Sequence, residues 1–123
     1  YSNKGFIPTF LIEEKYKEKI IMIKKMVKNS YFPEHLAHSS LKNPFLVIAI
    51  GQKLDSAISI DNGIMHMLGL AGTKTAIFFN RSSNKFKPLN ENKSKVYCSL
   101  ENKTKKIEYL TPDDVINFVK DFI

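Results

Sequence analysis

At 123 residues the chain has room for one compact domain with one core, and its apolar content is ordinary for a globular protein. No apolar run reaches the roughly 18–20 residues that a membrane span needs, and no secretory signal opens the chain. The net charge of +7 is nearly all lysine, with Arg81 the only arginine, and the single cysteine, Cys98, excludes an internal disulfide and fits a reducing compartment.

Such a charge favours anionic partners, but the interleaved arginines and stacking aromatics of a specific nucleic-acid reader are missing. The lysines scatter along helix faces and loops as a solvated surface would have them; the functional alternative is attraction to an anionic membrane face. Because the first residue is Tyr1 rather than Met, the sequence reads as part of a larger protein.

Residues 5–12 read as a strand whose Pro8 cannot donate to a ladder, which places that end at an edge. Residues 13–28 are a predicted helix. Tyr16, Ile20, Ile23 and Val27 recur every three or four residues, and Met22 and Met26 widen this stripe for packing on a sheet. Glu13 and Glu14 fall in its first turn and lysines in its last, matching the helix dipole. An acidic residue just after a strand also holds ribose hydroxyls in many nucleotide-binding domains, so Glu14 is a candidate ribose contact as well as a helix-start residue.

Residues 29–40 are a polar connection. His35 and His38 have the spacing of two metal ligands on a helix, but no third ligand stands near and Pro33 argues for irregular backbone, so no metal is expected. Pro44 behind an Asn43 cap opens another helix, whose face runs through Phe45, Ile48, Ala49 and Gln52 to Leu54.

Two short apolar runs, Ala57–Ile60 and Thr75–Phe79, then flank a helix that begins at Ile64 and ends at Gly72, the pattern of a parallel βαβ unit. Ligands of open parallel sheets sit beyond the carboxyl ends of the strands, where Asp61-Asn62-Gly63 would lie. A turn that opens a helix offers free N–H groups and partial positive charge to a phosphate. Gly63 suits that place because a side chain would hold a phosphate off the backbone and a tight turn needs permissive dihedrals. Asp61 reads either as the helix N-cap or as an acceptor that orients the ligand, and His66 either as a packing residue or as a phosphate donor. Met65, Met67, Leu68 and Leu70 read as core.

Residues 80–94 leave the second strand on the ligand side. Arg81 and Lys85 there are either solvated loop residues or cations that neutralise a departing diphosphate. Residues 95–100 read as a strand, with Cys98 a small half-buried residue in it, and residues 107–110 as a brief extended return. Thr111-Pro112-Asp113-Asp114 is a helix start, and Val115, Phe118, Val119 and Phe122 form the inner face that follows.

The succession Asp61-Asn62-Gly63-Ile64-Met65-His66, Gly72-Thr73-Lys74-Thr75, Phe78-Phe79 and Lys85-Phe86-Lys87-Pro88-Leu89 resembles the C-terminal, donor-binding domain of the heptosyltransferase-type glycosyltransferases, glycosyltransferase family 9. The likeness spans residues 41–89, and Asn62 departs from the serine or threonine usual in the family's turn. The resemblance implies an α/β fold, a Rossmann-like mostly parallel sheet flanked by helices, as in the C-terminal half of a GT-B glycosyltransferase. It implies that residues 1–123 are a single nucleotide-sugar-binding domain, with donor and phosphate contacts at Asp61, Asn62, Gly63, Ile64 and His66 and a ribose contact at Glu14.

The same resemblance implies inverting sugar transfer without a metal, most simply of heptose from an ADP-sugar to a lipopolysaccharide-type acceptor in a bacterial cytoplasm, peripheral to the inner membrane. The general base and acceptor pocket would lie in an N-terminal domain outside this sequence, so the chain alone would be inactive. The family's domain starts with one further strand not found here, which would leave a sheet edge open to self-association. A reading from another class is a non-catalytic α/β interaction or regulatory module that keeps the fold without nucleotide binding. It needs Asp61 only as a cap and His66 only as packing. A basic nucleic-acid binder is a third reading, distinguished by steep salt dependence.

Overall fold

The computed structural model describes residues 5–38, 43–80, 93–102 and 104–123, with the side chains of residues 101 and 102 excepted. Its chain falls into two compact units, Tyr1–Val47 and Ile48–Ile123.

In the first unit, residues 5–12 do not form the predicted strand. Thr9 and Tyr31 make an isolated parallel bridge, with the Phe10 N–H donating to the Tyr31 carbonyl and the Tyr31 N–H to the Pro8 carbonyl, each at 2.8 Å. Pro8 has no N–H to extend this into a ladder. Helix α1 spans Lys17–Met26, so it starts later than predicted; Glu13 and Glu14 lie in the exposed segment before it, and Glu18 is the acid of its first turn. Ile20 is buried and Ile23 and Val27 half-buried, whereas Met22 and Met26 are exposed. At 100° per residue the two methionines stand well round the helix from Ile20, so they do not widen the inner stripe.

Phe32 is the buried centre of this unit. It stacks on Phe10 at 5.5 Å and on His35 at 5.2 Å, with the Lys24 ammonium 5.3 Å from its ring centroid. Pro33 opens a short helix α2, Pro33–Leu36, rather than irregular backbone, and His35 Nε2 lies 2.7 Å from the Ile12 carbonyl oxygen.

Helix α3, Pro44–Gly51, begins as predicted: Asn43 Oδ1 accepts from the N–H groups of Phe45 and Leu46 at 2.9 and 3.3 Å. Its buried positions are Val47 and Gly51, four apart, while Phe45, Ala49 and Gln52 are exposed, which corrects the predicted face. A Cβ on Gly51 would stand 2.8 Å from the Ala71 Cβ and 3.0 Å from Thr73 Oγ1. Gly51→Ala is therefore expected to destabilise by about 1–3 kcal/mol, read from urea denaturation, although alanine is the better helix former.

The second unit is α/β, with an all-parallel three-stranded sheet of order β1-β2-β3. Strand β1, Ala57–Ile60, and strand β2, Thr75–Phe79, match the predicted spans and are joined through helix α4, Gly63–Ala71; strand β3 is Ser94–Cys98. Every residue of the central β2 is buried, as a parallel strand covered on both faces must be. On one face Ile77 and Phe79 cluster with Met65 of α4, Val96 and Cys98; on the other Ala76 and Phe78 cluster with helix α6, Pro112–Val119. This is the Rossmann-like sheet flanked by helices that the sequence implies. Cys98 is wholly buried rather than half-buried.

Thr73 and Thr75 are buried polar residues with their hydroxyls satisfied. Thr73 donates to the Gly51 carbonyl and Thr75 to the Thr73 carbonyl, both at 2.9 Å. Gly72, at φ 75°, ends α4 in the left-handed conformation. Two lysines serve helix C-termini: Lys93 donates to the Gly72 carbonyl at 3.2 Å and Lys95 to the Phe118 carbonyl. Leu70 is exposed rather than core. After β3 the chain forms helix α5, Ser99–Asn102, and residues 107–109 make a 3-10 turn instead of an extended return.

The start of α6 is a full capping box. The Asp114 N–H donates to Thr111 Oγ1, while the Thr111 N–H donates to Asp114 Oδ2 at 2.9 Å and Lys105 Nζ reaches the same oxygen at 3.0 Å. The backbone bond from Thr111, then the bond from Lys105, hold the Asp114 carboxyl down at about 2. A lowered folded-state pKa contributes stability above the ordinary value of 3.8 that is lost as pH falls towards about 2. The melting-temperature gap between the unaltered protein and Asp114→Asn is accordingly expected to close over that interval, and Thr111→Ala to cost about 1 kcal/mol at neutral pH. Among the described residues no helix is long and apolar enough to cross a membrane.

Candidate functional site

The site is built where β1 gives way to α4. The Asp61 N–H donates to the Phe78 carbonyl at 3.1 Å, which ties the turn to the carboxyl end of β2. Asn62 is fully extended, at φ −158° and ψ −179°, and is the N-cap of α4: its Oδ1 accepts from the Met65 N–H at 3.1 Å. Asn62 thus performs the capping task for the Met65 N–H, not Asp61. Asp61 is half-buried beside it.

This cap satisfies one of the first-turn donors. The N–H groups of Gly63 and Ile64 have no acceptor among the described residues. They open at the positive end of a nine-residue helix, beyond the carboxyl ends of two parallel strands. Among the described residues nothing lies within 4 Å of where a Gly63 Cβ would stand. Gly5 and Gly72 are the glycines with positive φ among the described residues, so Gly63 is not needed for a left-handed turn, contrary to the sequence expectation. What remains to distinguish glycine there is open space over the backbone.

His66 is exposed on α4, three residues after Gly63, and the buried face of the helix is carried instead by Met65, Leu68 and Gly69. A packing role in the core is therefore not its position. The arrangement thus gathers Asp61, Asn62, Gly63 and Ile64 at one helix mouth, able to present two backbone donors to an anion, with His66 exposed in the same first turns of α4.

Glu14 is an exposed residue of the first unit. Arg81 and Lys85 lie outside the described residues, as does the Phe86-Lys87-Pro88-Leu89 motif. Among the described residues no group of three or more histidines, cysteines, aspartates or glutamates is placed to hold a metal ion. Sequence reasoning missed Thr73 and Gly51, which fasten the opposite end of α4; a buried threonine bonded to a glycine carbonyl leaves no periodic signal. Compared with protein-family models, with curated proteins and with solved structures, the chain matches none.

Proposed function

We propose that this chain is the donor-nucleotide-binding part of a glycosyltransferase resembling the ADP-heptose:lipopolysaccharide heptosyltransferases, with the donor diphosphate seated at the mouth of α4. The observation that carries the reading is the pair of N–H groups at Gly63 and Ile64 that no described residue accepts from, in the strand–helix turn where the motif falls. In the transfer, the bond between the anomeric carbon and the diphosphate oxygen breaks, and its electron pair goes to that oxygen. The acceptor hydroxyl oxygen bonds to the carbon from the opposite face and gives its proton to a base in a further domain. The chain's own share is electrostatic: the helix mouth and His66 stabilise the charge that grows on the departing diphosphate. Asp61 orients the donor through hydrogen bonds, since a carboxylate next to a phosphate is otherwise repulsive.

Titration with ADP, followed by NMR of the backbone amides of residues 62–67, tests the reading. Localised shifts there, weaker with UDP, are expected. Shifts spread over the surface lysines would reduce the effect to charge attraction, and silence would favour the non-catalytic module, in which Asn62 is simply a cap.

A further inference from the structure

Helix α1 shows an unusual outer face. Opposite the inward row of Ile20, Ile23 and Val27 it exposes Ile21 at 66%, Met22 at 55% and Met26 at 75% of their surfaces. Lysines border these apolar side chains on both sides. By helical spacing Lys19, Met22 and Met26 form one row, and Lys17, Ile21 and Lys25 another. Residues 13–28 hold six lysines against three glutamates, and one of those glutamates, Glu13, is paired with Lys15 at 2.9 Å.

We infer that this face of α1 docks on an anionic lipid surface. An interfacial helix needs apolar side chains to enter the headgroup boundary and cationic ones to meet the phosphates, with long lysine stems covering the junction between them. Ile21, Met22 and Met26 supply the first, and Lys17, Lys19 and Lys25 the second. A second copy of the chain is a poorer occupant, because two such cationic faces repel. Nucleic acid would engage the lysines but leave the isoleucine and methionines without a partner. The assignment rests on α1 alone and is independent of the transferase reading.

Co-sedimentation with vesicles tests it, using phosphatidylcholine alone and phosphatidylcholine mixed with phosphatidylglycerol. Binding is expected to the mixed vesicles, to weaken with salt, and to be at least about tenfold lower on pure phosphatidylcholine. Met22→Asp combined with Met26→Asp should reduce it at least about tenfold, and Lys19→Ala or Lys25→Ala about fivefold each. Leu100→Asp, at an exposed leucine on α5, should leave it unchanged. All four altered positions on α1 are exposed, so circular dichroism should show the fold intact in every variant. Equal binding to both vesicle types, no binding, or variants that bind like the unaltered protein would overturn the inference. So would self-association in sedimentation velocity that the paired methionine substitutions abolish.

Discussion

Phe79→Ala is expected to remove a large share of the stability of the α/β unit. Phe79 is wholly buried on the fully buried central strand, in the cluster with Met65, Ile77 and Cys98. Deleting its ring forfeits the transfer free energy of the aromatic group and leaves a cavity bounded by a strand hydrogen-bonded on both sides, so collapse can recover little. The expected cost is about 3–5 kcal/mol, set against the roughly 5–15 kcal/mol that holds a typical domain folded. Phe45→Ala is the matched control: that ring is 79% exposed, and its loss should stay within about 0.5 kcal/mol. Equilibrium urea unfolding monitored by far-UV circular dichroism measures both. A loss below about 1 kcal/mol at Phe79 would mean that the sheet does not carry the core.

The contrast between these two phenylalanines also shows what the sequence made legible. The spans of β1 and β2 could be read to the residue, because each is a short apolar run bounded by Asp61-Asn62-Gly63 or Gly72-Thr73. Burial could not, since only the central β2 is buried, whereas Ile58 and Ile60 of the edge strand β1, expected to be buried, are exposed. The start of α6 was equally plain, since Thr111, Pro112 and Asp114 form a box of purely local hydrogen bonds. Faces were harder. Periodicity puts Phe45 and Ile48 on one side of α3, but only the neighbours decide which arc is covered; there a glycine, invisible to any hydrophobic pattern, marks the inward side.

Residues 5–12 failed for a related reason: strand composition predicts extended backbone, whereas a ladder needs a partner, and the bridge at Thr9 and Tyr31 is all that forms. At the candidate site, position was legible and role was not. Asp61 and Asn62 are both good caps, and the choice between them turned on one residue's offset to the Met65 N–H.

Gly63 allows structure and binding to be separated, and the second large effect is expected there. Its φ is not positive and no described residue lies within 4 Å of its Cβ direction, so Gly63→Ala should fold normally and gain about 0.4–1 kcal/mol by restricting the unfolded chain. Gly63→Val should also fold, with its branched side chain pointing into open space. On the proposed reading that space belongs to the donor diphosphate. Valine would then hold the phosphate away from the Gly63 and Ile64 N–H groups, removing charge-assisted bonds worth about 1.5–3 kcal/mol. ADP affinity, measured by calorimetric titration, should fall about ten- to a hundredfold. The informative result is the pair: thermal stability retained in both variants, with affinity lost in Gly63→Val. Retained affinity in a folded Gly63→Val would place the diphosphate elsewhere, because no anion could reach those two donors past the valine without displacing it. Lost affinity together with lost stability would instead make Gly63 a structural residue, against the open space that the described residues leave there.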